Sequence, residues 1–197
     1  MNYFISTGEL SGDLHASYIV EKIKNLDKNA KVYAIGGMNL KKQDVEIVRD
    51  IDSLAIMGFV EVVKNFNFLK KVLEETVEFI LSNNIDRVVL VDYGGFNLKL
   101  LERLKLKKPS LKITYYIPPK VWIWGKKRVP KIAKADEILV IFPWEVDFYK
   151  KENVKALYFG NPFMEKYEKI TKKGDNILLL PGSRKQEITK LLPIMLE

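Results

Sequence analysis

Residues 6–15 read Ser-Thr-Gly-Glu-Leu-Ser-Gly-Asp-Leu-His and lie between a short apolar run, 3–5, and the helical pattern of 16–23. A buried strand that is followed by a polar turn and an amphipathic helix is typical of a parallel α/β sheet. Ligands bind at the carboxyl ends of the strands in such sheets. The turn is therefore a candidate ligand site, and the alternative is an ordinary strand-to-helix turn in which Asp13 caps the helix.

Apolar runs alternate with longer helical patterns along the rest of the chain. This alternation predicts an α/β fold, a Rossmann-like parallel sheet with helices on both faces. The predicted strands are 3–5, 32–35, 87–91, 113–117, 138–141 and 177–180, and the predicted helices are 12–25, 58–82, 97–107, 126–134, 143–151 and 184–196. Gly160-Asn161-Pro162 closes the first domain, so we expect one domain at 1–163, and at 164–197 a linker with the first β-loop-α unit of a second domain.

The chain contains no cysteine and one histidine, His15, which excludes disulfides, thiolate metal sites and histidine-rich metal sites. We expect no metal and no cofactor. The glycine spacing in 8–12 differs from G-x-G-x-x-G, which argues against a nicotinamide enzyme. The chain starts directly with a strand and has no apolar run of bilayer-spanning length, so we expect a reducing, cytoplasmic location.

The net charge of +8 favours an anionic partner, which can be nucleic acid, an anionic membrane face or a phosphorylated substrate. The sequence has no zinc pattern, no aromatic RNP-type strand and no basic region that leads into heptads. We therefore expect that nucleic acid is not the partner.

Asp92 follows the apolar run 87–91, which places its carboxylate at the tip of a predicted central strand, beside Gly94-Gly95. A carboxylate in that position can accept a proton from a substrate hydroxyl, as a general base does. The alternative is a structural acid that caps a helix or bonds to the next loop.

Four residues of the first turn and one later asparagine are candidates for binding polar groups of a substrate. Glu9 and Ser11 supply polar side chains, while Gly8 and Gly12 allow tight turns and a close approach of the backbone. Asn97 either caps the following helix or contacts a phosphate.

The segment Pro181-Gly182-Ser183-Arg184 links a predicted strand to a predicted helix. A helix N-terminus favours anions, so Ser183 and Arg184 are candidates for phosphate binding. The guanidinium of Arg184 can neutralise the charge of a phosphate without a metal. The alternative is a surface arginine that caps an ordinary turn.

Residues 57–73 are unusually apolar and cover more than one face of a predicted helix, with lysines at 64, 70 and 71. One interpretation is core packing plus a homodimer contact. The other is a patch that binds a membrane surface, with the lysines facing anionic lipid. The residues of this apolar patch are Met57, Phe59, Val60, Val63, Phe66 and Leu69.

Residues 118–124, Pro-Pro-Lys-Val-Trp-Ile-Trp, predict a rigid aromatic loop after a strand. Its two tryptophans can line an acyl or sugar surface, or can simply be packed.

Five stretches, taken in order and spacing, carry a resemblance to a known family. They are 6–15, Leu54-Ala-Ile-Met-Gly-Phe-Val-Glu-Val62, Val91-Asp-Tyr-Gly-Gly-Phe-Asn97, Tyr116-Ile-Pro-Pro-Lys-Val-Trp-Ile-Trp124 and Leu180-Pro-Gly-Ser-Arg-Lys-Gln-Glu187. Together they resemble the lipid-A-disaccharide synthases, inverting glycosyltransferases of the two-domain GT-B class. The resemblance runs from the first residues to the end of the chain, and it implies that the chain forms the N-terminal domain and the start of the C-terminal domain.

The resemblance implies transfer of 2,3-diacylglucosamine from its UDP derivative to 2,3-diacylglucosamine 1-phosphate, which gives a β-1,6-linked disaccharide 1-phosphate and UDP in lipid A synthesis. It implies Asp92, Glu9 and Arg184 as catalytic residues. It implies a role in activity for Ser11 as well, and we expect Gly8, Ser11, Gly12, Asn97 and Ser183 to bind substrate. It also implies a peripheral enzyme on the cytoplasmic face of the inner membrane.

Two alternative functions remain open: a non-catalytic fragment that binds lipid or sugar phosphate, and a UDP-sugar epimerase of GT-B architecture. Because the chain stops as the second domain begins, we expect residues 1–197 to be inactive by themselves. Three departures from the family pattern concern possible site positions. Gly94-Gly95 replaces Pro-Asp, Pro118 replaces serine and Asn161 replaces histidine.

Overall fold

The computed structural model describes residues 1–55, 66–166, 174–182 and 185–197. It divides into two compact units, Met1–Glu165 and Lys166–Glu197. The boundary predicted after residue 163 lies close to this division.

The first unit is built on a parallel sheet of seven strands within the described residues. They are β1 (Asn2–Ser6), β2 (Lys31–Gly36), β3 (Glu46–Asp50), β4 (Arg87–Val91), β5 (Lys112–Tyr116), β6 (Glu137–Val140) and β7 (Leu157–Tyr158). Their order across the sheet is β3-β2-β1-β4-β5-β6-β7, and every neighbouring pair is parallel. The chain therefore winds outward from β1 in one direction and from β4 in the other.

Helices connect these strands. They are α1 (Leu10–Leu26), α2 (Met38–Lys41), α3 (Asp52–Ala55), α4 (Phe66–Ser82), α5 (Gly94–Lys107), α6 (Val129–Ile132) and α7 (Pro143–Lys151), with α8 (Lys185–Leu196) in the second unit. Short 3₁₀ turns cover Lys126–Arg128 and Pro162–Lys166. In the part of the chain that the structure describes, no helix combines the length and apolar character needed to cross a bilayer.

The core lies on both faces of the sheet because successive strand residues point to opposite sides. Phe4 belongs to the cluster that includes Val77 of α4 and Leu100 of α5. Its neighbour Ile5 packs with Val20 of α1 in the other cluster. The predicted parallel sheet with helices on both faces is confirmed.

The structure differs from the predicted elements in the outer strands and at the C-terminus. The edge strands β3 and β7 were not predicted. No strand forms at 177–180, where Ile177, Leu178 and Leu180 are exposed. An isolated strand has no neighbour to receive its backbone hydrogen bonds, so an apolar run alone does not produce one.

The short helices α2 and α3 were not predicted, and two predicted helices differ clearly from the structure. The predicted helix at 126–134 is a 3₁₀ turn followed by the single-turn helix α6. Residues 58–65 of the predicted helix 58–82 lie outside the described residues, and the remainder is α4.

Candidate active site

A crevice is expected between the carboxyl ends of β1 and β4, because the connections from these adjacent strands lead in opposite directions. Ligands of open α/β sheets bind at such a switch point. The loop after β1 carries Glu9, and the loop after β4 carries Asp92. The fold therefore brings these two predicted site residues to neighbouring strand ends.

The backbone of Asp92 is held in an uncommon conformation. Asp92 has φ 49° and Tyr93 has φ 48°, both in the left-handed region. The Asp92 N–H donates to the carbonyl of Tyr116 at 3.0 Å. The Asp92 carbonyl accepts from Asn97 Nδ2 at 2.9 Å and from the Tyr115 hydroxyl at 3.1 Å. Such conformations persist where the surroundings enforce them, and they concentrate at functional sites.

The environment of Asp92 makes its carboxylate more basic. Burial raises the pKa of Asp92, and repulsion from the Glu9 carboxylate raises it further. A hydrogen bond from the Tyr93 backbone and the positive charge of Lys120 act in the opposite direction, but the net shift is upward. A carboxylate whose pKa lies above its ordinary value is better suited to take a proton near neutral pH.

The side chain of Asn97 holds the backbone on either side of this site in place. Its side chain is completely buried. Its Oδ1 accepts from the Ser6 hydroxyl at 2.7 Å, and its Nδ2 donates to the carbonyls of Ser6 at 3.2 Å and Val91 at 3.3 Å, besides that of Asp92. These bonds tie the end of β1 to the end of β4. The structure thus gives Asn97 a positioning role in place of the predicted phosphate contact, since its amide is neither exposed nor free.

Packing explains both glycines of the first turn. A Cβ on Gly8 would lie 2.3 Å from the ring of Tyr93, and a Cβ on Gly12 would lie 2.2 Å from Oγ1 of Thr7. Only glycine lets these groups approach so closely. The substrate contacts predicted for Gly8 and Gly12 stay predictions. Glu9 and Ser11, between these glycines, have exposed side chains.

Asp13 is a buried structural acid. The sequence allowed it to cap the helix that follows the turn, which is α1, but in the structure it caps α2. It lies inside α1, and its carboxylate accepts from the N–H groups of Gly37 at 2.6 Å and Asn39 at 2.8 Å. These groups are at the N-terminus of α2, where a carboxylate is favourable.

His15 is also buried, and burial lowers its pKa. Its ring packs edge-to-face on Phe163, with the ring centroids 5.0 Å apart. Among the described residues, no group of three or more histidine, cysteine, aspartate or glutamate side chains is placed to hold a metal ion.

Sequence reasoning missed two charged residues, Lys120 beside the site and Glu145 on the connection after β6. Lys120 is exposed, and its positive charge acts on Asp92. The buried carboxylate of Glu145 accepts from Trp122 Nε1 at 3.0 Å and from the N–H groups of Ile141 at 3.2 Å and Phe142 at 3.1 Å. Proline at the first position of α7 and glutamate at the third form a helix-start signature that could have identified Glu145.

Several predicted site residues lie outside the described part of the chain. They are Ser183, Arg184, Met57, Phe59, Val60 and Val63. Phe66 is the first residue of α4. Leu69 is half-buried and packs against the core, and its membrane contact stays a prediction.

Two adjacent glycines after Asp92 provide a matched pair for a stability test. Gly94→Ala is expected to destabilise the fold by about 1–3 kcal/mol because of overpacking, since its Cβ would lie 2.5 Å from Cγ of Pro119. Gly95→Ala is expected to be neutral or slightly stabilising, because no atom lies within 4 Å of its Cβ. Urea unfolding of both variants measures the difference, and equal effects would contradict the described contact between the loops after β4 and β5.

The sheet order and the crevice define a doubly wound α/β domain whose candidate catalytic carboxylate lies at the switch point. At the level of fold, the chain is similar to MurG of Acinetobacter baumannii, with a TM-score of 0.53 and 12% identity over all of this chain and 55% of that one. This similarity shows the fold alone, and it confirms the predicted N-terminal domain of GT-B type.

A family model described as lipid-A-disaccharide synthetase matches residues 3–197, and the chain belongs to this family. Curated proteins named lipid-A-disaccharide synthase are similar over almost the whole chain. Those of Persephonella marina and Geobacter metallireducens are 36% and 34% identical over 98% of this chain, and that of Coxiella burnetii is 32% identical over 96% of it. The alignments cover 53–54% of these relatives, so the chain spans about half of their length.

Proposed function

We propose that the protein that contains this domain transfers 2,3-diacylglucosamine from its UDP derivative to 2,3-diacylglucosamine 1-phosphate. The products are the β-1,6-linked disaccharide 1-phosphate and UDP. Family membership and the names of the relatives support this proposal. The structural observation that carries it is the position of Asp92, a carboxylate with a raised pKa at the switch point of the sheet.

In the proposed reaction, Asp92 accepts the proton of the acceptor 6-hydroxyl. The hydroxyl oxygen then attacks C1 of the donor sugar from the face opposite the diphosphate. The new bond joins this oxygen to C1 as the bond from C1 to the UDP oxygen breaks, so the configuration inverts. General-base assistance of this kind contributes about 10²–10⁴-fold to a rate.

Other residues of the chain support this step. Glu9 keeps Asp92 basic through charge repulsion. Lys120 adds positive charge near the same carboxylate, which suits an acceptor that carries a phosphate. Arg184, outside the described residues, is proposed to neutralise the diphosphate as it departs.

We also propose that the protein is peripheral, on the cytoplasmic face of the inner membrane. The net charge of +8 suits an anionic lipid surface, and both proposed substrates carry acyl chains. The apolar patch around 57–69 is the proposed attachment site. The alternative interpretation of this patch as a subunit contact stays open, and the vesicle binding of the Val60→Ser, Val63→Ser variant described below tests the membrane interpretation.

Product analysis tests the proposed reaction. The complete enzyme is incubated with labelled UDP-2,3-diacylglucosamine, with and without the acceptor phosphate. We expect a labelled disaccharide 1-phosphate and UDP only when the acceptor is present. Conversion of the donor to an isomeric UDP-sugar without the acceptor would instead support an epimerase, and binding without turnover would support a non-catalytic module.

A further inference from the structure

All three tryptophans of the chain follow two neighbouring strands: Trp122 and Trp124 lie on the loop after β5, and Trp144 is the second residue of α7, after β6. Trp124 is 66% exposed, Trp144 is 50% exposed and Ile123 is 61% exposed. Large apolar side chains are rarely left exposed together on a soluble surface unless they bind something. We call Trp122, Ile123, Trp124, Phe142 and Trp144 the aromatic patch.

The aromatic patch is held in shape by ring contacts and by one buried acid. The rings of Phe142 and Trp144 are stacked, with centroids 4.6 Å apart and an interplanar angle of 11°. Trp122 meets Trp144 edge-to-face at 6.1 Å. Glu145 accepts a hydrogen bond from Trp122 Nε1. The exposed rings are therefore presented by an ordered surface.

Basic residues lie beside the aromatic patch. Residues 117–135 contain six basic and no acidic side chains. Lys120 Nζ lies 5.9 Å from the ring centroid of Phe142, and Arg128 Cζ lies 4.7 Å from that of Trp124. Three of the six basic residues pair with acids elsewhere. These pairs are Lys126 with Glu152, and Lys131 and Lys134 with Glu102.

The aromatic patch lies on the same edge of the sheet as the candidate active site. Both of its loops follow the carboxyl ends of strands, as the Asp92 loop does. Pro119, at the start of the first loop, packs against Gly94. A flat surface that touches this edge therefore lies next to Asp92.

We propose that the aromatic patch binds the interface of an anionic lipid bilayer. Tryptophan rings favour the boundary between head groups and acyl chains, and basic residues beside them attract anionic lipid. This contact is additional to the apolar patch at 57–69, and it brings the Asp92 crevice to the surface where acylated substrates reside. It deepens the proposed function, because it rests on the proposal that the substrates are lipids.

Intrinsic fluorescence tests this proposal, because every tryptophan is in or beside the contact. The full chain is titrated with vesicles of phosphatidylcholine alone, and with vesicles that contain phosphatidylglycerol. We expect the anionic vesicles to shift tryptophan emission to shorter wavelength and to quench it when the lipids carry bromine on their acyl chains. An unchanged emission spectrum, or the absence of vesicle binding, would overturn the proposal.

Matched variants identify the surface without removing a tryptophan. Ile123→Ser combined with Lys127→Glu is expected to weaken vesicle binding at least about tenfold, through loss of apolar burial and of attraction to anionic lipid. The control is Leu106→Ser combined with Lys107→Glu, the same two changes at exposed positions at the end of α5, on the opposite edge of the sheet, where Leu106 is 77% exposed. Equal binding by the aromatic-patch variant and the control would overturn the proposal.

Two further measurements test whether a different surface accounts for vesicle binding or for the change in emission. Val60→Ser with Val63→Ser tests the apolar patch at 57–69. If that variant alone abolishes binding while the aromatic-patch variant binds normally, the aromatic patch is not the contact. A blue shift that depends on protein concentration without vesicles would show a protein interface and would also overturn the proposal. Failure of the disaccharide assay would refute the proposed function but would leave these fluorescence results unchanged.

Discussion

Asp92→Asn is expected to lower the turnover of the complete enzyme by about 10²–10⁴-fold, the usual contribution of a general base. The asparagine keeps the size of the side chain but cannot accept the proton of the acceptor hydroxyl. Asparagine also tolerates the left-handed backbone that residue 92 adopts, with φ 49°, whereas alanine there would add strain. The measurement is single-turnover formation of the disaccharide, and near-normal turnover would remove Asp92 from the mechanism.

The same variant should not lose stability, which separates a catalytic role from a structural one. Because the pKa of Asp92 is raised by burial and by Glu9, the folded protein binds this proton more tightly than the unfolded chain does. The resulting stability is present below the ordinary aspartate pKa and is lost as the pH rises through the raised pKa. At neutral pH, Asp92→Asn avoids this loss, so we expect its free energy of unfolding to equal or exceed that of the wild type.

Residues 1–197 by themselves are expected to form no disaccharide. The donor's uridine and diphosphate need a second βαβ domain, and within the described residues after 165 the chain forms one helix and no strand. The relatives that this chain matches are nearly twice as long. The measurement is product formation from labelled UDP-2,3-diacylglucosamine and the acceptor phosphate, with a full-length relative as the positive control.

Acceptor binding should survive in this shorter polypeptide, since Glu9, Ser11 and Asp92 all belong to the first unit. Calorimetric titration with the acceptor phosphate checks this expectation and shows that the polypeptide is folded. Disaccharide formation by residues 1–197 would mean that one domain, or a dimer of it, can build the donor site, and the two-domain argument would be wrong.

The central strands could be predicted from the sequence because their apolar runs are continuous. The predicted strand 87–91 matches β4 at both ends, since it is buried on both faces. The edge strand β3, Glu46–Asp50, has two apolar residues between charged ones, and β7 has two residues, so neither carries a clear signal. Residues 177–180 form a continuous apolar run of the kind that predicts a buried strand, but no neighbouring strand pairs with them in the described residues.

The candidate site could be predicted only in part. The positions of Glu9 and Asp92 could be predicted because ligands of open α/β sheets bind at the carboxyl ends of the strands. Their local environment depends on contacts between segments that are far apart along the chain, and the hydrophobic periodicity of the sequence does not reveal such contacts. Asn97 bonds to Ser6, 91 residues earlier, and Asp13 caps a helix that begins 25 residues later. The packing of Tyr93 over Gly8 is equally non-local.

The pH dependence of kcat/KM in the complete enzyme tests most directly the claim that Asp92 is the base. The acidic limb of this profile reports the pKa of the base in the free enzyme. Glu9 raises the pKa of Asp92 and Lys120 lowers it, so Glu9→Gln should move the limb to lower pH and Lys120→Gln should move it to higher pH. A limb that stays at the same pH in both variants would contradict the assignment of Asp92 as the catalytic base.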